Sequence, residues 1–170
     1  MSTAVQISLN EYLTNTYEPD YDYVDGTLEE RNVGLRRHSR TQTLFTAWLF
    51  AREKTHGHRV LTEQRVTVSA TRVRVPDICL VAPDNVDEVI QKPPALWIEI
   101  VSPDDRWSRI QIRLTDCIDF GVPMIWIVDP YTKKAWTMTR ATGVVPAADG
   151  ILRNPELKLE VPLQEILPED

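Results

Sequence analysis

Arg74-Val75-Pro76-Asp77-Ile78-Cys79-Leu80-Val81, followed by Leu96-Trp97-Ile98-Glu99-Ile100-Val101-Ser102, decides the fold of this chain. Each is a short apolar run rich in β-branched residues, the composition of a buried strand, and each carries one carboxylate in its interior. Side chains alternate between faces along a strand, so Asp77 is expected on the face of Val73, Val75, Cys79 and Val81, and Glu99 on that of Trp97 and Val101. Pro76 has no N–H to give to a ladder and marks an edge, a bulge or a break immediately before Asp77. Desolvating a carboxylate is costly unless the charge is paired, so two acids among apolar neighbours require an explanation. Either Arg72, Arg74 or Arg113 neutralises them as ion pairs or their strands emerge into solvent there, or the two together hold a hard cation such as Mg²⁺. Such an ion takes oxygen ligands and keeps several waters.

The second run leads directly into a helix start. Ser102 is placed to cap it, Pro103 suits its first position, and Asp104 and Asp105 sit near the positive end of its dipole. The helix is expected to reach about Phe120 and stop at Gly121, with Trp107, Ile110, Leu114, Cys117 and Ile118 as a buried stripe flanked by Arg106, Arg109 and Arg113. Met124 to Val128 is another apolar strand, and strand, helix, strand in succession implies a crossover between parallel neighbours.

Upstream, Ser8-Leu9-Asn10-Glu11 has capping-box spacing for a short helix to about Thr14. Asp25-Gly26 lies between two strand-like runs and predicts a hairpin whose second arm carries the adjacent acids Glu29 and Glu30, one facing the sheet interior or a cleft and the other water. Ser39 to about Lys54 spaces Leu44, Phe45, Trp48 and Leu49 as a helix, with Gly57 ending it. His58 to Val68 and Arg72 to Val81 read as two neighbouring strands, and Asp84 to Gln91 as a surface excursion. Lys134 to Thr139 reads as an antiparallel strand. Short strands, an Asp149-Gly150 turn and one helical turn at Leu163 to Leu167 complete the chain. The fold class is α/β, a mixed β-sheet flanked by helices on both faces.

The 170 residues are expected to make one domain, 1–170, with a full hydrophobic core. Cys79 and Cys117 lie in apolar segments without metal-ligand spacing and read as buried thiols of a reducing compartment. Residues 1–10 lack the pattern of an export signal and no run is long enough for a membrane helix, so a cytoplasmic location is expected. A net charge of −6 and a pI of about 5.1 argue against a protein that simply coats nucleic acid, whose affinity comes from Lys and Arg. An enzyme whose basic groups gather at one cleft remains compatible with it. The basic stretch is residues 31–40, with Arg31, Arg36, Arg37, Arg40 and His38. It reads as a solvated loop or as a phosphate-contacting lip, and His38 as a phosphate contact or a proton relay near Glu30 or, as a lone His in a basic loop more often is, a solvated side chain.

A Pro-Asp on one strand, an acid on the next and a helix bearing basic residues resembles the PD-(D/E)xK nuclease pattern. More closely, the chain resembles the Uma-two family of restriction-endonuclease-like proteins. The resemblance is carried by Tyr23-Val24-Asp25-Gly26 with Glu30, His38, Val75-Pro76-Asp77, Glu99-Ile100-Val101-Ser102-Pro103, and Gly121-Val122-Pro123 followed by Trp126-Ile127-Val128-Asp129-Pro130. It implies a restriction-endonuclease-like fold in which Asp77 and Glu99 bind Mg²⁺ or Mn²⁺, with Glu30 as a third acid, for hydrolysis of phosphodiester bonds in DNA. The motif's lysine would fall at Val101. The nearest basic residue on the following helix is Arg113, which stays protonated and forks onto phosphate where lysine is a compact, tunable charge. Gln64 and Gln111 are weaker candidates for orienting water.

Three functions remain open on the sequence: a metal-dependent endonuclease, a degenerate nuclease fold that binds nucleic acid or a protein without cutting, and a structural module whose acids pair with arginines. Cutting both strands of a duplex is most simply done by two symmetric sites, which favours a homodimer.

Overall fold

The computed structural model describes residues 6–18, 20–31 and 34–169. The first residues, read above for export signals, lie outside them, as do Asn32 and Val33 of the basic stretch and the final residue, Asp170.

The chain opens with α1 (Leu9–Thr14), capped as its spacing predicts by the Ser8 hydroxyl, which accepts from the Glu11 N–H at 3.1 Å. Strands β1 (Tyr21–Val24) and β2 (Thr27–Glu30) form the expected hairpin. Positive φ at both Asp25 and Gly26 (49° and 90°) makes the tight turn whose twist matches paired strands. Helix α2 (Arg36–Phe50) and the single turn α3 (Glu53–His56) follow, with Gly57 in the left-handed region ending α3.

Two strands were expected between His58 and Val81, and four are found: β3 (Arg59–Thr62), β4 (Val66–Ser69), β5 (Arg72–Arg74) and β6 (Ile78–Val81). The hairpin bends midway, at Pro76 on one arm and near Gln64 on the other. β4 and β5 join β1 and β2 in a four-stranded sheet, while β3 and β6 enter a six-stranded one. The alternation assumed from Val73 through Val81 therefore breaks: Val73 packs with Tyr12 and Tyr23, whereas Cys79 and Val81 pack with the helix that follows β7.

Strand β7 (Leu96–Ile100) leads to α4 (Trp107–Phe120) and β8 (Ile125–Asp129), and β7 and β8 pair in parallel as the crossover required. Then come β9 (Lys134–Thr139), β10 (Gly143–Pro146), β11 (Ile151–Asn154), β12 (Leu159–Pro162) and the turn α5 (Leu163–Ile166). The large sheet runs β10-β9-β8-β7-β6-β3, mixed in direction, with β7 and β8 at its centre. One face packs Ile78, Leu80, Ile98 and Trp126 against Phe45 and Leu49 of α2 and against the β11–β12 hairpin. The other packs Cys79, Trp97, Ile125 and Ile127 against Ile110, Leu114, Cys117 and Ile118 of α4. Among the described residues no helix is long and apolar enough to cross a membrane.

Two helix starts differ from expectation. α2 begins at Arg36 with Leu35 as its cap position, so Ser39 lies inside the helix and the basic stretch forms its first turn. α4 begins at Trp107, because Ser102 to Asp105 close a turn of their own. The Asp105 N–H donates to the Ser102 carbonyl at 3.0 Å and the Asp105 carboxylate accepts from the Ser102 N–H at 2.8 Å. Trp107 consequently starts the helix beyond the sheet edge and is 45% exposed, where the apolar stripe placed it in the core.

Candidate active site

The break at Pro76 positions Asp77. Register pairs Ile78 with Ile98 across β6 and β7, so one step further Asp77 comes opposite Glu99. There the Asp77 Oδ2 accepts from the Ile100 N–H at 2.6 Å, which fixes its carboxylate on the neighbouring strand. Its Oδ1 lies 3.3 Å from His38 Nε2 and 3.7 Å from an Arg31 guanidinium nitrogen. Glu99 accepts from the Trp97 indole N–H at 2.7 Å and lies 3.5 Å from Arg113. Both carboxylates are 5% exposed. Arg31, His38, Asp77, Glu99, Ser102, Asp105 and Arg113 line one small polar cavity of about 20 Å³, room for one ion or water.

Charge is closely balanced here. Burial pushes the Glu99 carboxyl up to about 7, the Arg113 guanidinium pulls against it, and the Asp77 charge adds to the rise. Arg113 is held more firmly protonated by Glu99. Burial lowers His38, but its hydrogen bond and charge attraction to Asp77 more than reverse this and raise it. Arg31 also contacts Glu63, and the Glu63 and Asp77 charges outweigh its burial and raise it. The Nε atoms of Arg31 and Arg113 are buried without a hydrogen-bond partner among the described residues. Two of the arginines that line the cavity thus each keep one buried Nε donor that the protein leaves unsatisfied.

Of the residues singled out in the sequence, Asp77, Glu99 and Arg113 are brought together. Glu30 is exposed and lines the adjoining cavity, about 60 Å³, with Asp22, Glu29, Asp104, Arg106, Arg109 and Ile112; Asp105 and Arg113 border both cavities. Glu29, also exposed, bonds Arg74 at 2.7 Å, so both acids of the pair border a cleft where one was expected to face the sheet interior or a cleft and the other water. Arg72 and Arg74 do not neutralise the site acids. Arg74, 1% exposed, pairs with Asp22, Glu29 and Asp116, and Arg72 with Asp25 and Asp116. Gln64 donates to the carbonyls of Arg65 and Glu88, and Gln111 lies exposed on α4.

His38 is the correction with most consequence. Read as a solvated side chain, it is 7% exposed and directed at Asp77. The signal was present: the buried positions of α2 are His38, Thr41, Phe45 and Leu49, steps of three and four that reach back to His38 once the helix starts at Arg36.

Among the described residues no group of three or more His, Cys, Asp or Glu side chains is arranged to hold a metal ion. The carboxylate pair is nonetheless a fitting donor set for a hard cation, since Mg²⁺ commonly takes one or two carboxylates and completes its shell with water and substrate oxygens.

A mixed sheet flanked by helices, with paired acids and arginines at the end of its central strands, defines a nuclease-like α/β protein. A family profile described as "Putative restriction endonuclease", Uma2, matches residues 9–166, and the chain belongs to that family. The fold matches the crystal structure of a "putative nuclease belonging to DUF820" from Anabaena variabilis with a TM-score of 0.83 at 21% identity, covering 94% of this chain and 97% of that one. A cryo-EM structure of a DrdV–DNA complex is matched with a TM-score of 0.48 at 20% identity, over 68% of this chain and 11% of that one. No curated protein matches the chain.

Proposed function

We propose that this protein is a divalent-metal-dependent endonuclease that hydrolyses phosphodiester bonds in DNA. The observation that carries the reading is the meeting of Asp77 and Glu99, buried carboxylates from adjacent strands, in one polar cavity with the unsatisfied guanidinium atoms of Arg31 and Arg113. Asp77 and Glu99 would hold Mg²⁺ or Mn²⁺, which when bound activates water and offsets charge on a phosphoryl group. Arg113 would bind the scissile phosphate, its planar fork offering the donor that Glu99 leaves open. His38 orients Asp77 through Oδ1, and the Ile100 N–H holds Oδ2. Glu30, on the rim of the adjoining cavity, would contribute charge to the approach of a cation or water.

A second reading, a nuclease fold that binds nucleic acid without cutting, is favoured by one specific feature. Arg31, His38 and Arg113 already counter the charge of the acids, and no lysine stands among the cavity residues. The deciding experiment is incubation with supercoiled and linear DNA in Mg²⁺, Mn²⁺ and EDTA, with Asp77→Asn and Glu99→Gln as controls. Nicking in metal that both variants abolish supports the enzyme. Metal binding and DNA binding without any cleavage support the second reading.

A further inference from the structure

Helix α4 presents more to the site than Arg113. Arg106, Arg109 and Arg113 recur at steps of three and four, and all border the cavity that adjoins the carboxylate pair. At ~1.5 Å per residue the row spans about 10.5 Å of helix axis, close to three nucleotides of one strand at ~3.4 Å each. Arg113 is engaged with Glu99. The side chains of Arg106 and Arg109, both exposed, have no hydrogen-bond or ion-pair partner among the described residues, although the chain as a whole carries a net charge of −6. Acids are abundant around that cavity, so exposed arginines left unpaired beside them are available to an outside anion.

Between these arginines in sequence stands Trp107. It is 45% exposed and, of the described tryptophans, the most exposed; Trp97 and Trp126 are fully buried and Trp48 and Trp136 are half-buried. An exposed indole on the first turn of the helix whose Arg106 and Arg109 border the cavity beside the carboxylate pair brings to one helix start the two elements of single-strand recognition: cations for the backbone and an aromatic face for an unstacked base. A fully paired duplex has no base free to lie on that ring.

We infer that the first turn of α4 is a subsite for an unpaired nucleotide beside the scissile phosphate. Arg106 and Arg109 bind its backbone and Trp107 stacks its base, so the preferred substrate is single-stranded nucleic acid or a duplex flared at the cut. This rests on the reading of the carboxylate cavity as a phosphodiesterase site and names the substrate class that site takes.

The test measures binding of oligo-dT and of a blunt duplex of equal length by fluorescence anisotropy in EDTA, where cleavage plays no part, with tryptophan quenching followed in parallel. The expected result is tighter binding of oligo-dT with quenching of the indole signal. Trp107→Ala should lose at least about fivefold in oligo-dT affinity, together with most of the quenching, while changing duplex affinity less than twofold. The double variant Arg106→Gln/Arg109→Gln should weaken both and flatten the salt dependence. Equal loss for both ligands in Trp107→Ala, no loss for either, or no binding by the parent protein overturns the subsite. Lack of cleavage in Mn²⁺ with Trp107-dependent binding intact would instead count against the catalytic reading, so the two failures are distinguishable. Because Trp107 is exposed, thermal unfolding of the variants should match the parent.

Discussion

Glu99 is a residue the fold tolerates at a cost. Its carboxyl ordinarily titrates at 4.5 and is pushed up to about 7 here, chiefly by burial. A group whose pKa is raised on folding favours the folded state while it is protonated, and this contribution is lost as pH climbs from about 4.5 through about 7. The shift corresponds to about 3 kcal/mol, at about 1.4 kcal/mol per pH unit. Glu99→Gln keeps an acceptor for the Trp97 indole and removes the titration, so in EDTA the variant should gain on the parent between pH 5 and 8. Thermal unfolding across that range is the measurement; parallel curves for the two proteins would show that Glu99 is ionised without penalty. Saturating Mn²⁺ at pH 8 should stabilise the parent, by about 2.7 kcal/mol when the metal is at a hundredfold excess over its Kd, and leave Asp77→Asn unchanged. Arg113 supplies a third test. It lies 3.5 Å from Glu99, which it reaches from the second turn of the helix beginning at Trp107. Arg113→Lys should keep or raise cleavage by restoring a compact cation, and Arg113→Ala should lower it, compared at matched folded fraction.

At the scale of elements, Arg74 couples β5 to the β1–β2 hairpin and to α4. It is 1% exposed and bonds Asp22 at 3.0 Å, Glu29 at 2.7 Å and Asp116 at 2.9 Å. Removing one member of a buried ion network strands the others, so Arg74→Met should cost about 3–5 kcal/mol in urea unfolding. Adding Asp22→Leu should recover part of it, and full additivity of the two losses would mean they do not interact. None of this network was legible in the sequence, because an arginine between two valines on a strand looks the same whether its fork meets water or three carboxylates from distant segments. What the sequence did carry was local: the Ser8 cap, the Asp25-Gly26 turn, the Gly121 stop and the β7-α4-β8 crossover each follow from a few adjacent residues. The errors arose where a local signal met a competing one. Ser102-Pro103 has the chemistry of a helix start, but the Asp105 carboxylate folds back onto the Ser102 N–H and makes a separate turn. Ser39 likewise offers a cap, yet the helix extends past it to bury His38 on the face of Phe45. Asp77 and Glu99 were legible as a pair because Pro76 and the apolar strands around them leave a charge unexplained. Of the cations that complete the cavity, Arg113 was legible on the helix after Glu99 and His38 becomes so once α2 starts at Arg36, whereas Arg31 lies on a loop whose placement no spacing fixed.

The whole molecule carries 25 acids against 19 lysines and arginines, so a polyanion is repelled at long range and any attraction must be local. The first turn of α2 is the second place where it can arise. His38 at that helix start and Arg113 on α4 border the same cavity, and Arg36 and Arg40, both exposed and without a partner among the described residues, lie two residues to either side of His38. Arg37 lies against the Tyr131 ring, 6.0 Å from its centroid. Replacing Arg36, Arg37 and Arg40 with Ala takes the net charge from −6 to −9, the difference being the three positive charges removed. If all three meet phosphates, the slope of log K against log salt should fall by up to about 2.7, at about 0.9 per contact. The fall in affinity should then be large at low salt and small at high salt, because screening erases the contribution that the mutations remove. Anisotropy titrations of the parent and the triple variant over a salt series read this directly. A uniform loss at every salt concentration would point to a disturbed helix start, with His38 pulled off Asp77, while identical slopes would leave the α4 row as the cleft's sole basic wall.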